Sequence, residues 1–388
     1  MDLRKQKGLQ IFKTKTIQSG VDGWIVPSQT SNKKYFVRKD YSCSCPDHKE
    51  RHCTCKHAFA VKYYLQIEKP DGTKHKIKLS YPQAWRAYTE AQKCEVNQFE
   101  VLLKDLLKEI EEPEYSFGRP KLSRKEVLFC AIQKVYSQLS SRRAYSLFKN
   151  AQGKNIINKT PNYNAINKIL NEKEITSILK ELITLSASPL KVIETSFSVD
   201  SSGFRTTRFN EYCKEKHGTK KEHKWVKAHI CSGNKTNIVC SAEITQENGA
   251  DCPQFKPLVE TIAENGFNVQ KMMADKAYSS RENLALVDDL NGIAFIPFRS
   301  NATGKSKGNS IWRKMYCYFQ FNQEEFMQHY HARSNVETTF MAIKTKFGDC
   351  LKNKTFVSQT NELLCKIIAY NIAVLIHETH ELGIKIEF

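Results

Sequence analysis

Hydrophobic and polar positions change their period along the chain. Residues 1–42 alternate in short strand-like runs, "GWIVPSQ" and "KKYFVRK", around a Ser/Asn turn. "AFAVKYYLQIE" then reads as helical, and "KPDGTKHKIK" as a polar, Lys-rich linker. From 84 to 185 apolar residues recur at helical spacing, which predicts successive helices broken at "EEPEYSFGRPKLS" and "NAQGKNIINKTPN". From 193 the period shortens. "ETSFSVDSS", "WVKAHICSG", "TNIVCSAEIT", "VQKMMAD" and "IAFIPF" read as strands, with helical "PQFKPLVETIAENG" and "SRENLALVDDLNG" between the later ones. Two helical stretches, "YHARSNVETTFMAIK" and "NELLCKIIAYNIAVLIHETHEL", close the chain. Strands first, then helix and strand in alternation, predict an α/β fold: a mixed sheet flanked by helices. An all-helical region and a small N-terminal module precede it. The expected boundaries are 1–68, 69–190 and 191–388.

The stretch 330–344 carries a second pattern. At 100° per residue, Tyr330, Arg333, Glu337 and Lys344 fall within a sector of about 60°. Val336, Phe340, Ile343 and Phe347 form an apolar stripe roughly 80° away, and Gly348 offers a C-terminal stop. A solvated flank with an Arg333–Glu337 ion pair at i, i+4 is the ordinary reading of such a face.

Charge narrows the partners. Lys and Arg outnumber Asp and Glu by 60 to 41 in 388 residues, a net +19, which favours polyanions. No uncharged apolar run approaches the ~18 residues of a membrane span, and "MDLRKQKGLQIFKTK" has no apolar core of a secretory signal. The expectation is a cytosolic protein facing nucleic acid, with no membrane partner. Thirteen cysteines then read as reduced thiols or metal ligands. Four of them, with three histidines, fall in "CSCPDHKERHCTCKH". Cys43, Cys45, Cys55 and His57 supply three thiolates and an imidazole, a tetrahedral zinc set with no position left open for catalysis. Cys53 and His52 are possible substitutes. The spacing Cys-x-Cys then Cys-x-His resembles the SWIM zinc finger, whose zinc ties a hairpin to the following helix.

"FSVDSSGF" puts Asp200 near the end of an apolar strand, and "VQKMMADKAYSS" puts Asp275 at the end of another. Alone, each is ordinary as a turn former or helix cap. With Glu337, in a basic chain, they make a candidate site for hard divalent cations such as Mg²⁺ or Mn²⁺. Two such ions serve phosphodiester cleavage by activating one oxygen and stabilising the other.

These segments resemble the DDE transposases of bacterial and archaeal insertion sequences. The late helix matches the Y-(2)-R-(3)-E-(6)-K signature of one large group at Tyr330, Arg333, Glu337 and Lys344. "ADKAYSS" resembles the segment around the family's second Asp, with Ala277 where Gly is common and Tyr278 in the aromatic place. "VDSSGF" resembles the first-Asp segment and "NELLCKIIAYNIAVLI" the closing helix. The resemblance covers roughly residues 80–385. It implies a ribonuclease-H-like core with Asp200, Asp275 and Glu337 as catalytic metal ligands. It further implies contacts of Tyr330, Arg333 and Lys344 with double-stranded DNA, both terminal inverted repeats and target. A homodimeric active complex and a nucleoid-associated cytoplasmic setting go with it. The 61 residues between Asp275 and Glu337 leave no room for the β-rich insertion of some relatives. The basic "FRSNATGKSKGNSIWRK" there reads as a polar, DNA-contacting loop.

Upstream, "TPNYNAINKIL" reads as the recognition helix of a helix-turn-helix-like unit. Ser140, Ser141, Arg142 and Arg143 are placed to bind phosphate at a helix start. A plain helical linker packing on the core is the competing reading. "KWVKAH" alternates Trp225, Lys227 and His229 on one strand face. Two other functions compete with transposition: a domesticated, non-catalytic zinc-dependent DNA-binding protein, and a metal-dependent nuclease without strand transfer.

Overall fold

The computed structural model describes residues 3–65 apart from 21, 30, 32 and 52, residues 84–206 apart from 115–116 and 118–121, and residues 225–388 apart from 307. His52 and the Lys-rich linker lie outside the described residues. The chain divides into two compact units, Met1–Gln83 and Ala84–Phe388. No helix among the described residues is long and apolar enough to cross a membrane.

The first unit opens with α1 (Leu3–Thr14), where alternating strand-like runs were expected. The difference has a physical cause. Only Gly8 and Ile11 of α1 are buried, so there is no apolar stripe to read. The helix instead packs through the missing side chain of Gly8, where a Cβ would lie 2.7 Å from Cβ of Phe59 and 2.9 Å from the Lys56 carbonyl oxygen. A three-stranded antiparallel sheet follows, β1 (Gln18–Gly20), β2 (Gly23–Pro27) and β3 (Lys34–Arg38). Then come α2 (Pro46–Arg51) and α3 (Lys56–Tyr64). The core is small: Ile11, Val26, Val37, Ala58 and Val61 pack against Cys43, Cys45 and Cys55.

The second unit starts with α4 (Trp85–Leu106), α5 (Arg124–Tyr136), α6 (Tyr145–Gly153), α7 (Tyr163–Ile169) and α8 (Lys173–Ala187). Ser123 caps α5 by accepting from the Glu126 amide, and Asn162 caps α7, as N-cap chemistry favours. The strands are β4 (Ser196–Arg205), β5 (Trp225–Gly233), β6 (Val239–Gln246), β7 (Lys271–Ala274) and β8 (Ile293–Phe295). They form one mixed sheet in the order β6-β5-β4-β7-β8. β4–β5 and β5–β6 are antiparallel, whereas β4–β7 and β7–β8 are parallel. Between and after the later strands come α9 (Cys252–Glu264), α10 (Arg281–Asp289), α11 (Ser310–Phe321), α12 (Gln323–Tyr330), α13 (Ser334–Phe347) and α14 (Phe356–Leu382).

Strand alternation sends side chains to two cores. Phe197 and Val199 of β4 join Phe255, Met272, Phe295 and Phe326 on one face. Phe204, Val226 and Ala228 on the other face share a core with Phe99, Leu128 and Phe148 of the helical segment and with Ile367 and Ile368 of α14. α14 is buried almost all round, as its apolar run requires. Its fully buried Asn371 accepts from the Val239 amide at 3.0 Å and donates to the Val239 carbonyl at 2.7 Å and Ser186 Oγ at 2.8 Å. That side chain completes the hydrogen bonding of edge strand β6 and ties it to the end of α8.

Three local expectations change. β4 runs five residues past Asp200, because Ser201–Arg205 pair with β5 from His229 back to Trp225. The stretch 330–344 is not one helix: Tyr330 ends α12, a 3-10 turn spans His331–Arg333, and α13 begins at Ser334. The segment read as the polar loop "FRSNATGKSKGNSIWRK" runs into α11 at Ser310, because Asn309 caps that helix through the Trp312 amide at 3.1 Å.

Candidate active site and metal centre

β7 stops at Ala274 while β4 continues. Val199 pairs with Ala274, so Asp200 and Asp275 are the next residues on two adjacent parallel strands. This is the carboxyl end of the parallel part of the sheet, beside the point where strand direction switches, a place where open α/β sheets form crevices. α13 is held over it by its apolar stripe, with Val336, Phe340, Ile343 and Phe347 all buried. Polar pins fix its start: Asn335 Nδ2 donates to the Asn234 carbonyl at 2.8 Å and Thr339 Oγ1 to the Asn237 carbonyl at 3.5 Å. Gly348, at φ 75°, ends the helix.

Glu337 thereby projects beside Asp200, and Arg333 joins them. Its Nη1 donates to Asp200 Oδ2 at 2.7 Å and its Nη2 to Glu337 Oε1. The i, i+4 ion pair read from the sequence is present, and it has a third member on β4. Among the described residues the three carboxylates do not gather within 4.8 Å of one another. Asp275 and Glu337 are still close enough for their negative charge to act on Asp200. Burial, followed by those two charges, raises the Asp200 carboxyl above its ordinary range, against the Ser201 amide and Arg333. Such a site gains from added positive charge. Asp275 also has its ordinary role, capping the 3-10 turn Lys276–Tyr278 through the Lys276 amide at 2.6 Å.

An open groove of about 460 Å³ runs from Asp200 and Glu337 past Ser202 to Lys344 and Asp349. Lys344 donates to Ser202 Oγ at 2.7 Å and lies 5.0 Å from the Phe204 ring centroid. Burial lowers its ammonium pKa. Tyr330 is half-buried, with Arg333 5.8 Å from its ring centroid. Arg142 and Arg143 are exposed in the turn before α6, and Arg142 lies 5.5 Å from the ring centroid of Tyr163 in α7. On β5, Trp225 is exposed, whereas Lys227 and His229 both reach Asp251, at 2.6 and 3.3 Å. Lys227 and Asp251 form an ion pair within the second unit, with the buried His229 ring packed beside it.

In the first unit, the ligand atoms of Cys43, Cys45, Cys55 and His57 lie within 4.8 Å of one another, and all four residues are buried. Cys55 Sγ is 3.9 Å from His57 Nδ1. Tetrahedral zinc at ~2.0–2.3 Å from each donor would set them roughly 3.5–3.8 Å apart, so the group fits zinc. Its sulfurs share protons unequally. The hydrogen bond with Cys43 pulls the Cys55 thiol down to about 3, and the same bond with burial pushes Cys43 up. Cys53 is half-buried and outside the group.

Residues 194–372 match the family described as Transposase DDE domain. The matched stretch contains Asp200, Asp275, Tyr330, Arg333, Glu337 and Lys344. It leaves out Arg142, Arg143 and the cysteine group. A solved structure of the piggyBac transposase synaptic complex with hairpin DNA is also similar, at 10% identity and a TM-score of 0.35, over 81% of this chain and 79% of that one.

Two supporting residues were not read from the sequence. Arg299 donates to the carbonyls of Lys276 and Ala277 at 3.4 and 3.0 Å, clamping the turn that carries Asp275. Glu194, fully buried, accepts from the amides of Lys235 and Thr236 and so shapes the β5–β6 turn on which α13 is pinned. Arg299 lay in the basic run read as a polar, DNA-contacting loop. Glu194 had no local signal.

Proposed function

We propose that this chain is a DNA transposase that cleaves the ends of a mobile element and joins the freed 3′ hydroxyls to target DNA. The observation that carries the reading is the placement of Asp200 and Asp275 one residue past the paired Val199 and Ala274 of β4 and β7, with Glu337 linked to Asp200 through Arg333. All of them fall within the stretch that matches the DDE domain. The strand order, antiparallel then parallel, supports a ribonuclease-H-like core.

Asp200, Asp275 and Glu337 would hold Mg²⁺ or Mn²⁺. The fit rests on their oxygen donors and on the burial that, with the charges of Glu337 and Asp275 added, raises Asp200. Bound divalent cations would supply Lewis-acid activation of the attacking oxygen and charge neutralisation at the leaving one. The chain's own groups do the remaining work. Arg333 holds the carboxylates in register and, turned outward, offers two parallel donors to a phosphate. Lys344 places a cation farther along the groove floor. Tyr330 offers a ring to a base and a hydroxyl to a phosphate. Cys43, Cys45, Cys55 and His57 would hold a structural zinc in a SWIM-type finger that contacts DNA or protein, and Arg142 and Arg143 would add phosphate contacts.

A strand-transfer assay with the full chain, element-end duplex and Mg²⁺ tests the reading. Joined products are expected, and Asp200→Ala should abolish them while duplex binding persists. Cutting without joining would leave the nuclease reading, and binding without cutting the non-catalytic one.

A further inference from the structure

A second polar cavity, about 770 Å³ in volume, is bounded by the end of α5, residues 140–141, α7 and the start of α14. Four lysines line it, Lys134, Lys168, Lys352 and Lys354, against one carboxylate, Glu172. The rest of the wall is serine, threonine and asparagine, hydrogen-bonding and uncharged. Thr355, the N-cap of the 27-residue α14, is part of it. The positive end of that helix dipole therefore faces the cavity.

Lys134 makes this more than a basic surface. It occupies the last turn of α5 and is only 4% exposed. Among the described residues its ammonium has no hydrogen-bond acceptor and no ion-pair partner. Glu362 is the carboxylate whose charge reaches it, but that group accepts from the backbone amides of Lys352 and Asn353 at 2.9 Å. A buried, unpaired charge is costly, and leucine or methionine would fill the same volume without that cost. The arrangement makes sense when an anion enters the cavity.

The cavity adjoins the carboxylate groove. Asp349 lines the groove and Lys352 the cavity, so three residues, at most roughly 10 Å of chain, separate the two walls. The segment between them is fixed to β4. The Arg205 amide donates to the Asp349 carbonyl at 2.9 Å, and the Leu351 amide to the Arg205 carbonyl at 2.7 Å. At about 3.4 Å per nucleotide along a strand, the gap matches roughly three nucleotides.

We infer that this cavity is a second phosphate subsite, which grips the backbone of the DNA strand a few nucleotides from the bond cut in the carboxylate groove. The inference rests on the reading of the chain as a DNA-cutting enzyme. Lys134 and the first turn of α14 meet the phosphate, and Lys168 and Lys354 stand exposed at the rim.

The test uses the full chain, a fluorescent DNA duplex titrated at several salt concentrations, and inorganic phosphate as a separate probe. Lys134→Met keeps the length and removes the charge, Lys134→Arg keeps the charge, and Lys354→Ala removes an exposed charge that folding does not need. Lys134→Met and Lys354→Ala should each weaken duplex binding and lower the slope of log affinity against log salt by about 0.9. Lys134→Arg should restore both. Lys134→Met should melt no lower than the unsubstituted chain, since it loses only an unpaired charge. If Lys134→Met does not fold, Lys354→Ala decides. Wild-type affinity and slope in both charge-removing variants would overturn the inference. So would protection against heat by phosphate that duplex does not displace, which would mark a free-anion pocket. A wild-type chain that binds no duplex would bring down the functional reading and the inference with it. That outcome is distinct from one in which wild type and variants bind alike.

Discussion

Arg333→Ala perturbs the link between the carboxylates most directly. Arg333 and Asp200 are each 20% exposed, and Glu337 is 56% exposed. Removing one partner of a fully buried pair costs roughly 3–5 kcal/mol. Partial exposure of this cluster reduces the expected loss to roughly 1–3 kcal/mol in the metal-free chain. Spread over the roughly 300 residues of the second unit, at ~2.1 cal/mol/K of unfolding entropy per residue, that lowers Tm by about 2–5 °C. A divalent cation should act in the opposite sense. Guanidinium and cation draw on the same oxygens, so Mn²⁺ should raise Tm more in Arg333→Ala than in the unsubstituted chain. Thermal melts of both proteins at neutral pH, with and without Mn²⁺, measure the two effects. Equal Mn²⁺ shifts would refute the idea that Arg333 stands where a cation belongs, and an unchanged metal-free Tm would show that the bridge carries no energy.

Elemental analysis should find about one zinc per chain, lost in Cys45→Ser, and chelation should unfold the first unit while the second keeps its own transition. Zinc retained by Cys45→Ser would contradict the ligand set. Glu337→Ala should lower cleavage by orders of magnitude with end binding near normal, whereas Lys344→Ala should weaken end binding and reduce its salt slope by about 0.9. Unchanged binding and slope in Lys344→Ala would make that side chain structural. His229 is fully buried against Thr245 and Asp251, and burial pulls its pKa from 6.5 down to about 4. The unfolded chain binds this proton below about pH 6.5 and the folded chain does not, so stability is lost as pH falls from about 6.5 to about 4. His229→Gln should remove up to about 3 kcal/mol of that loss, and a pH–Tm profile identical to wild type would contradict it.

What the sequence made legible follows from the range of the forces involved. Strands β4 to β8 and helices α9, α10 and α14 carry strong apolar periods, and their order alone predicted a mixed sheet. Asp200, Asp275 and Glu337 were legible as candidates, because two stand at the ends of apolar runs and the third in the Y-R-E-K spacing. The cysteine group was legible as spacing. Illegible features depend on contacts between distant parts of the chain. α1 packs through a glycine rather than a stripe. β4 outlasts its apolar run because β5 continues to pair with it. The break at His331–Arg333 lies inside an unbroken helical pattern, and it sets the approach of Arg333 to Asp200, 133 positions away. Lys134 reads as one more helix cation until α7 and α14 are folded around it.

The claim that Asp200 and Asp275 hold the catalytic divalent cations is tested most directly by changing the metal the site accepts. Asp200→Cys and Asp275→Cys replace a hard oxygen donor with a soft sulfur, which Mg²⁺ binds poorly and Mn²⁺ tolerates better. Cleavage of an element-end duplex by each variant is measured in Mg²⁺ and in Mn²⁺, alongside the unsubstituted chain. Cleavage should be lost in Mg²⁺ and partly recovered in Mn²⁺ for both variants. Cleavage in Mg²⁺ at the unsubstituted rate, or no recovery in Mn²⁺ by a variant that still folds and binds duplex, would contradict the claim.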